Sequence, residues 1–557
     1  MKKKLLAMIL TGSMAAALLA GCGSGNSGSS GGAGDAGAAG TESADTAESG
    51  STQSAAGELK DVNGYPTTQE AVDAIQERKD SGETPKLVVG FMNFAGTPKG
   101  IERISQKISE RTEETLGLDV ELQIMDMASY AQNMNLMLAS GEQMDLFNAV
   151  SVGFSPCVNK GYLYDMYEDD LFQKYGQGIA AVVPEQYLYA DVVGGGFYGI
   201  TSQKEQGQAL FGISIAQQYL DSIGYDYSSM YENDGDEWIY TDYDTITDIF
   251  KQLHEKYPDK TVFMVDKGTV VGQCLPVDAI GGDYFGSLLD PMNSLTVEDL
   301  FSSDTYMNIC KQMYAWNQAG YFSKDALTDT TGTTPAVKAG SLMAYKTALK
   351  PGIRAQESNL CGQPMVMFQI GKENFSASNT CNAMPWCINS QTEDPVAAMQ
   401  LLNAFYTDPV LSNLICWGEE GVEYQKTDDG HITFADGVDA SNSEYYNNVN
   451  WEMPNQFIAD VWEGNELDVW EKTATFNEKC DVSKGMGFIF DNSAVSSEYT
   501  ALTNVYTQYR DQLELGFENP EKLIPEMESA LKDAGLETYM KAKQEALDSW
   551  AEENGKN

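Results

Sequence analysis

The chain has 557 residues, enough for two substantial lobes, and carries 82 acidic against 35 basic side chains, a formal charge of −47. That balance excludes nucleic acid as a partner, since phosphates demand a basic footprint, and disfavours an anionic ligand; a neutral or cationic one fits, although solubility alone also accounts for the charge. Only two histidines occur, His254 and His431, both in polar surroundings expected to be exposed, so triads that need a His base and His-rich metal sites have very few candidates.

Residues 1–21 have the layout of an export signal: Lys2, Lys3 and Lys4 precede an apolar stretch from Leu5 to Leu19 that ends in Leu19-Ala20-Gly21-Cys22. The stretch is too short and too rich in small residues for a membrane span, which needs roughly 20 residues. A Cys directly after Leu-Ala-Gly resembles the bacterial lipobox, which implies cleavage before Cys22 and lipidation of its thiol, with acyl chains holding the protein at the outer face of the cell membrane. Residues 22–60 are mostly Gly, Ser, Ala, Thr, Asp and Glu, which bury too little apolar surface to offset chain entropy and read as a flexible tether.

The body opens with Thr67 and Glu70 at capping-box spacing, ahead of a short helix bearing Ala71, Val72 and Ile75. Leu87 to Met92 is a buried-strand run, followed after the loop Asn93 to Thr97 by a helix from Pro98 with Ile101, Ile104 and Ile108 on one face. Val120 to Ile124 alternates as a second strand, Tyr130, Met134, Met137 and Leu138 mark a helix ended by Gly141, and Met144 to Val150 supplies a third strand. This β-α-β-α-β run predicts a mostly parallel sheet with ligand-contacting loops at the carboxyl ends of its strands. The loop Asn93-Phe94-Ala95-Gly96-Thr97 is not a phosphate-cradling glycine motif, Gly194-Gly195-Gly196 reads as a tight turn, and Asp234-Gly235-Asp236-Glu237 lacks the spacing of a calcium loop and reads as an exposed acidic turn.

Beyond Thr201 helical and strand-like stretches continue to alternate. The expected organisation is a first lobe over residues 61–202, a second over 203–380, a return to the first over 381–480 through Met384 to Ile388, and a C-terminal region over 481–557 packing on the body. Helices are expected through Val396 to Trp417, through Tyr499 to Tyr509 and after Glu521, where Leu523, Met527 and Leu531 repeat at helical spacing. Eight cysteines besides Cys22 are scattered without a C-x-x-C pair. Cys381 and Cys387 are spaced for a small disulfide loop, yet thiols scattered through a large domain are more often buried apolar residues, and no disulfide or zinc site is assigned.

Three stretches carry a family resemblance: Asp394 to Asn403 with Tyr406-Thr407-Asp408-Pro409; Trp417 to Tyr424; and Gly487-Phe488-Ile489-Phe490-Asp491 leading into terminal helices with Asp533-Ala534-Gly535-Leu536, Lys543-Gln544, Leu547 and Trp550. With these the chain from about Asp61 onward resembles the Gram-positive extracellular solute-binding lipoproteins of the carbohydrate-uptake class, in a branch with a distinctive uncharacterised C-terminal region. The resemblance implies an α/β, two-lobed, periplasmic-binding-protein-like (type II) fold with additional C-terminal helices. Its lobes would close about a multi-strand hinge on an oligosaccharide, and a monomeric binding protein would deliver that cargo to the permease subunits of an ABC transporter, with no enzymatic turnover, cofactor or metal.

A sugar needs flat rings for its C–H faces and Asn, Gln, Asp or Glu for its hydroxyls. Among 29 Tyr, 21 Phe and 8 Trp most must be core, so loop position selects the candidates. These are Asn93 and Phe94 after the first strand, Ser151 and Phe154 after the third, Asp283 and Tyr284 beyond Gly281-Gly282, and Tyr345 after Ser341 to Ala344. Trp386 and Phe490 join them at expected interlobe positions, Trp386 being equally suited to packing in the hinge. A peptide or other nutrient remains an alternative cargo. A surface glycosidase, which would need two carboxyls about 5 to 9 Å apart, is an alternative class.

Overall fold

A computed structural model describes residues 59–93, 97–228, 237–329, 331–440, 442–445 and 450–556. The export signal, Cys22, nearly all of the tether, Phe94 and Asp234-Gly235-Asp236 lie outside them. In the first lobe, β1 (Lys86–Asn93), β2 (Asp119–Asp126) and β3 (Leu146–Asn148) are parallel, with β1 between the other two. All of β1 but Lys86 is buried, because alternate side chains feed two cores: Leu87, Val89 and Phe91 on one face, Val88 and Met92 on the other. Helix Ile101–Thr115 covers the first face with Ile104 and Ile108, and helix Met127–Ser140 covers the second with Tyr130 and Met134. The N-cap of the opening helix, Gln69–Ser81, is Thr68 rather than Thr67. Its hydroxyl accepts the Ala71 amide and donates to the Lys174 carbonyl, a tertiary bond that sequence spacing does not show.

A hairpin of β4 (Val192–Val193) and β5 (Gly196–Phe197) turns through Gly194 and Gly195, both at positive φ, a two-residue turn that side chains would strain. The second lobe is built on β6 (Gln208–Ala216), β7 (Trp238–Thr241), β8 (Thr261–Met264), β9 (Leu342–Leu349), β10 (Met365–Ile370) and β11 (Asn374–Ser376). Here β6 runs antiparallel to β9 and β10, while β8 is parallel to β9 and β7 to β10. The chain then returns through β12 (Trp386–Ile388), antiparallel to β3. The predicted helix over 396–417 is two, Pro395–Thr407 and Pro409–Trp417, since Pro409 cannot continue the first. Asp394 and Asp408 cap them, accepting the Ala397 and Val410 amides at 2.8 and 2.9 Å, so both Asp-Pro pairs of the resemblance are helix starts. A small hairpin, β13 (Tyr424–Lys426) with β14 (Ile432–Phe434), follows, and β15 (Asp481–Val482) pairs with β11 in the second sheet.

Three segments therefore pass between the lobes, and buried polar groups knot them together. The Gln206 amide donates to Asn477 Oδ1 at 2.8 Å, the Ser376 hydroxyl donates to the Gln206 carbonyl, and Asn477 Nδ2 donates to the Lys204 carbonyl at 2.7 Å. Each satisfied bond contributes about 1 kcal/mol and fixes which way the crossing strands can bend.

The C-terminal helices Ser496–Glu514, Pro520–Asp533 and Leu536–Glu553 join the core of the second lobe, placing Leu502, Leu513, Ile524, Met527, Leu531, Tyr539 and Leu547 at 1% exposure or less beside Phe285, Phe301 and Met313. All eight described cysteines are buried and unpaired, Cys381 and Cys387 included. His254 is half-buried against Tyr321, contrary to its expected exposure, and His431 shares its ring nitrogens with the Asn465 carbonyl and Asp429.

Candidate functional site

Because β6 leaves the hinge at Gln208 and β9 and β10 run antiparallel to it, the carboxyl ends of β7 to β10 lie on the hinge side of the second lobe. Loops there belong to the edge that faces the first lobe. On that lobe the corresponding loops follow β1 and β3.

At the end of β1, Asn93 is buried at 2% exposure. The preceding amide, that of Met92, donates to both carboxylate oxygens of Glu452 at 3.1 Å. Burial pushes the Glu452 carboxyl well above the usual range, with the Met92 amide opposing it. Its backbone carbonyl accepts the Trp386 indole N–H at 2.8 Å, and Trp386 packs 4.8 Å from Phe91 with no exposed surface. Trp386 is thus a core residue of the first lobe, on the face of the sheet away from Met92. Trp451, next to Glu452, is half-buried against the Met92 face, a ring at the carboxyl end of β1 that the sequence reading missed. Its signal was a Trp directly after the asparagine-rich stretch Asn447-Asn448-Val449-Asn450.

After β3, Ser151 is exposed at φ 62°, a conformation that costs a non-glycine residue of order 1–2 kcal/mol. Phe154 begins a short helix and turns inward at 5% exposure, towards Gly199 and Val152.

On the second lobe, Ile280 (φ 39°) leads into the exposed pair Gly281-Gly282. Asp278 ties this loop to the hinge by accepting the Ser378 hydroxyl at 2.6 Å and the Ser378 amide at 3.0 Å. Ile489 packs against the Met92 face of the first lobe, while the next residue, Phe490, sits against Gly281. The structure thus brings Asn93 and Ser151 to one side and the Gly281-Gly282 turn with Phe490 to the other, joined by Ile489, while Phe154 is buried in the core of the first lobe.

Three predicted residues are turned away from this edge, two of them with their polar groups bonded elsewhere. Asp283 is turned inward onto Lys543 and Tyr539. Tyr284 sets its hydroxyl 2.6 Å from where a Cβ on Gly272 would stand, and burial raises its phenol. Tyr345 is 2% exposed and donates to Glu357, because its position in β9 faces helix Ile353–Cys361. The neighbouring side chain on the opposite face, Lys346, is also buried. Burial holds its ammonium below the usual lysine range, opposed by Cys274 and by Asp266 just after β8.

Residues 484–552 match a family described as a domain of unknown function, DUF3502. A carbohydrate ABC transporter substrate-binding protein of Streptococcus pneumoniae is 22% identical over 480 residues, covering 82% of this chain and 89% of that one. The crystal structure of the N-glycan transport solute binding protein NgtS of the same organism superposes with a TM-score of 0.70 at 20% identity, covering 84% of this chain and 99% of that one. The chain has the fold of an extracellular solute-binding protein. NgtS in complex with Man1GlcNAc gives a TM-score of 0.64 at 19% identity over 84% of this chain and 100% of that one, and the pneumococcal FusA complex with kestose gives 0.55 at 14% over the same shares. Among the described residues no cluster of three His, Cys, Asp or Glu is placed to hold a metal, and no helix is long and apolar enough to cross a membrane.

Proposed function

We propose that this chain is the lipid-anchored, extracytoplasmic binding subunit of an ABC importer and that it captures a neutral oligosaccharide between its lobes without chemical turnover. The observation that carries this reading is the likeness to NgtS, which takes in 84% of the chain and nearly all of that structure. The acidic charge and the paired loop edges with half-buried aromatic surface at Trp451 support a neutral cargo. The TM-score is 0.70 for NgtS, 0.64 for its Man1GlcNAc complex and 0.61 for its Man5GlcNAc complex, a fall expected if these lobes move on binding.

Calorimetry of the purified body against Man1GlcNAc, kestose, a peptide mixture and an anionic oligosaccharide tests the cargo. A bound neutral sugar should shift Trp fluorescence and, at a hundredfold excess over Kd, stabilise the fold by about 2.7 kcal/mol. Binding of only the peptide or the anion would overturn the cargo class, and release of cleaved sugar would overturn the binding role. The anchor is tested separately. Cys22→Ala should move the protein from the membrane fraction to the medium with its melting temperature unchanged; a variant that stays membrane-bound defeats the lipoprotein reading.

A further inference from the structure

The last helix reaches into the loop that faces the first lobe. Lys543, with no exposed surface, donates from its ammonium to the Ala279 carbonyl at 3.2 Å, the Gly286 carbonyl at 3.0 Å and Asp283 Oδ1 at 3.0 Å. One turn earlier, the Tyr539 hydroxyl donates to the other Asp283 oxygen at 2.7 Å. The ammonium also lies 5.6 Å from the Phe490 ring centre and 5.3 Å from that of Tyr539. Between these anchors the backbone takes an unfavoured course, with Ile280 at φ 39°, Gly281 at φ 130° and Gly282 at φ 83°. The Phe490 Cβ lies 2.9 Å from where a Cβ on Gly281 would stand, so the turn is pinned from below as well.

A helix that only covered a core would use apolar side chains, since burying an ammonium costs several kcal/mol unless every proton is matched. Here all three are matched, and every acceptor lies within residues 279–286. We propose that Lys543 is a positioning residue for the interlobe site: through it the C-terminal region holds the Gly281-Gly282 turn as a preformed backbone surface on which the cargo is enclosed. This rests on the solute-binding reading above. Its gain is preorganisation, because a loop already fixed loses no freedom when the lobes close.

The test uses the full mature chain. In the double variant Lys543→Met/Asp283→Asn neither charge is left buried alone, and Tyr539→Phe, which removes the bond to Asp283 and a longer one accepted from Asn492, is a gentler change. Amide hydrogen exchange without sugar should rise at least tenfold across 279–286 in the double variant and less in Tyr539→Phe, with β1 and β9 unchanged. Calorimetric affinity for whichever of Man1GlcNAc and kestose the parent binds should fall about tenfold. Parental exchange rates in the loop overturn the proposal, as does faster exchange with parental affinity. A parent that binds neither sugar but binds a peptide or an anion defeats the carbohydrate reading, and the sugar-free exchange still decides whether Lys543 fixes the turn.

Discussion

Removing residues 515–557 should leave a second lobe that no longer unfolds as a cooperative unit. The deletion takes away Leu515, Ile524, Met527, Leu531, Leu536, Tyr539 and Leu547, each at 2% exposure or less. At about 2 kcal/mol for each large apolar side chain returned to water, the loss is on the order of 10 kcal/mol, comparable with the whole stability of a typical domain, about 5–15 kcal/mol. It also strips Lys543 and Tyr539 from Asp283, removing the bonds that hold the Asp283 carboxylate in the 279–286 loop. Scanning calorimetry should show the parental transition broadened and shifted down by well over 10 °C, with near-UV dichroism lost. A truncated chain melting at the parental temperature would mean that the helices rest on the lobe without supporting it.

The second large effect concerns pH. Glu514, 1% exposed between the first C-terminal helix and the second lobe, has its carboxyl raised from near 4.5 to about 7 by burial, against the pull of the Tyr506 hydroxyl, which donates to it at 2.7 Å, and of Arg510; Asp511 pushes it further up. A folded-state value above the unfolded one means that between about pH 4.5 and 7 the native state keeps a proton the unfolded chain has lost. Stability therefore falls as pH rises through that window, by about 3 kcal/mol in all, and is flat above it. Burial raises Glu452 and Asp191 in the same direction. Glu514→Gln, which keeps the shape and loses the titration, should match the parent at pH 4.5 and exceed it by up to about 3 kcal/mol at pH 8 in urea denaturation. Equal stability of the two at both pH values would show that the carboxyl does not titrate in this range.

The first lobe was legible because its physics is local. The buried run Leu87 to Met92, the alternation Val120 to Ile124 and the apolar helix faces between them state a parallel sheet with both sides covered. What the sequence could not state was direction at single positions. Tyr345 and Lys346 are neighbours in one strand, and register against β6 and β8 sends one towards Glu357 and the other towards Cys274. Trp386 read as an interlobe aromatic, but pairing of β12 with β3 turns it into the core and leaves Trp451, 65 positions later, beside the end of β1. Asp283 was singled out by its loop, and its partner Lys543 lies 260 residues away, a separation that no local pattern spans.

The eight buried thiols carry a consequence for biogenesis. On the outer side of the membrane, where the proposal places this protein, thiols meet oxidants, and eight of them admit 105 complete pairings. The native arrangement uses none. Burial raises thiols such as Cys157 and Cys361 to about 11, where almost no thiolate exists to react, so the folded chain is chemically quiet. The newly exported chain has no such protection. Its yield is a race between collapse of the two lobes and mispairing, won only if the strands that bear Cys387 and the helices that bear Cys310 and Cys416 are buried before an oxidant arrives.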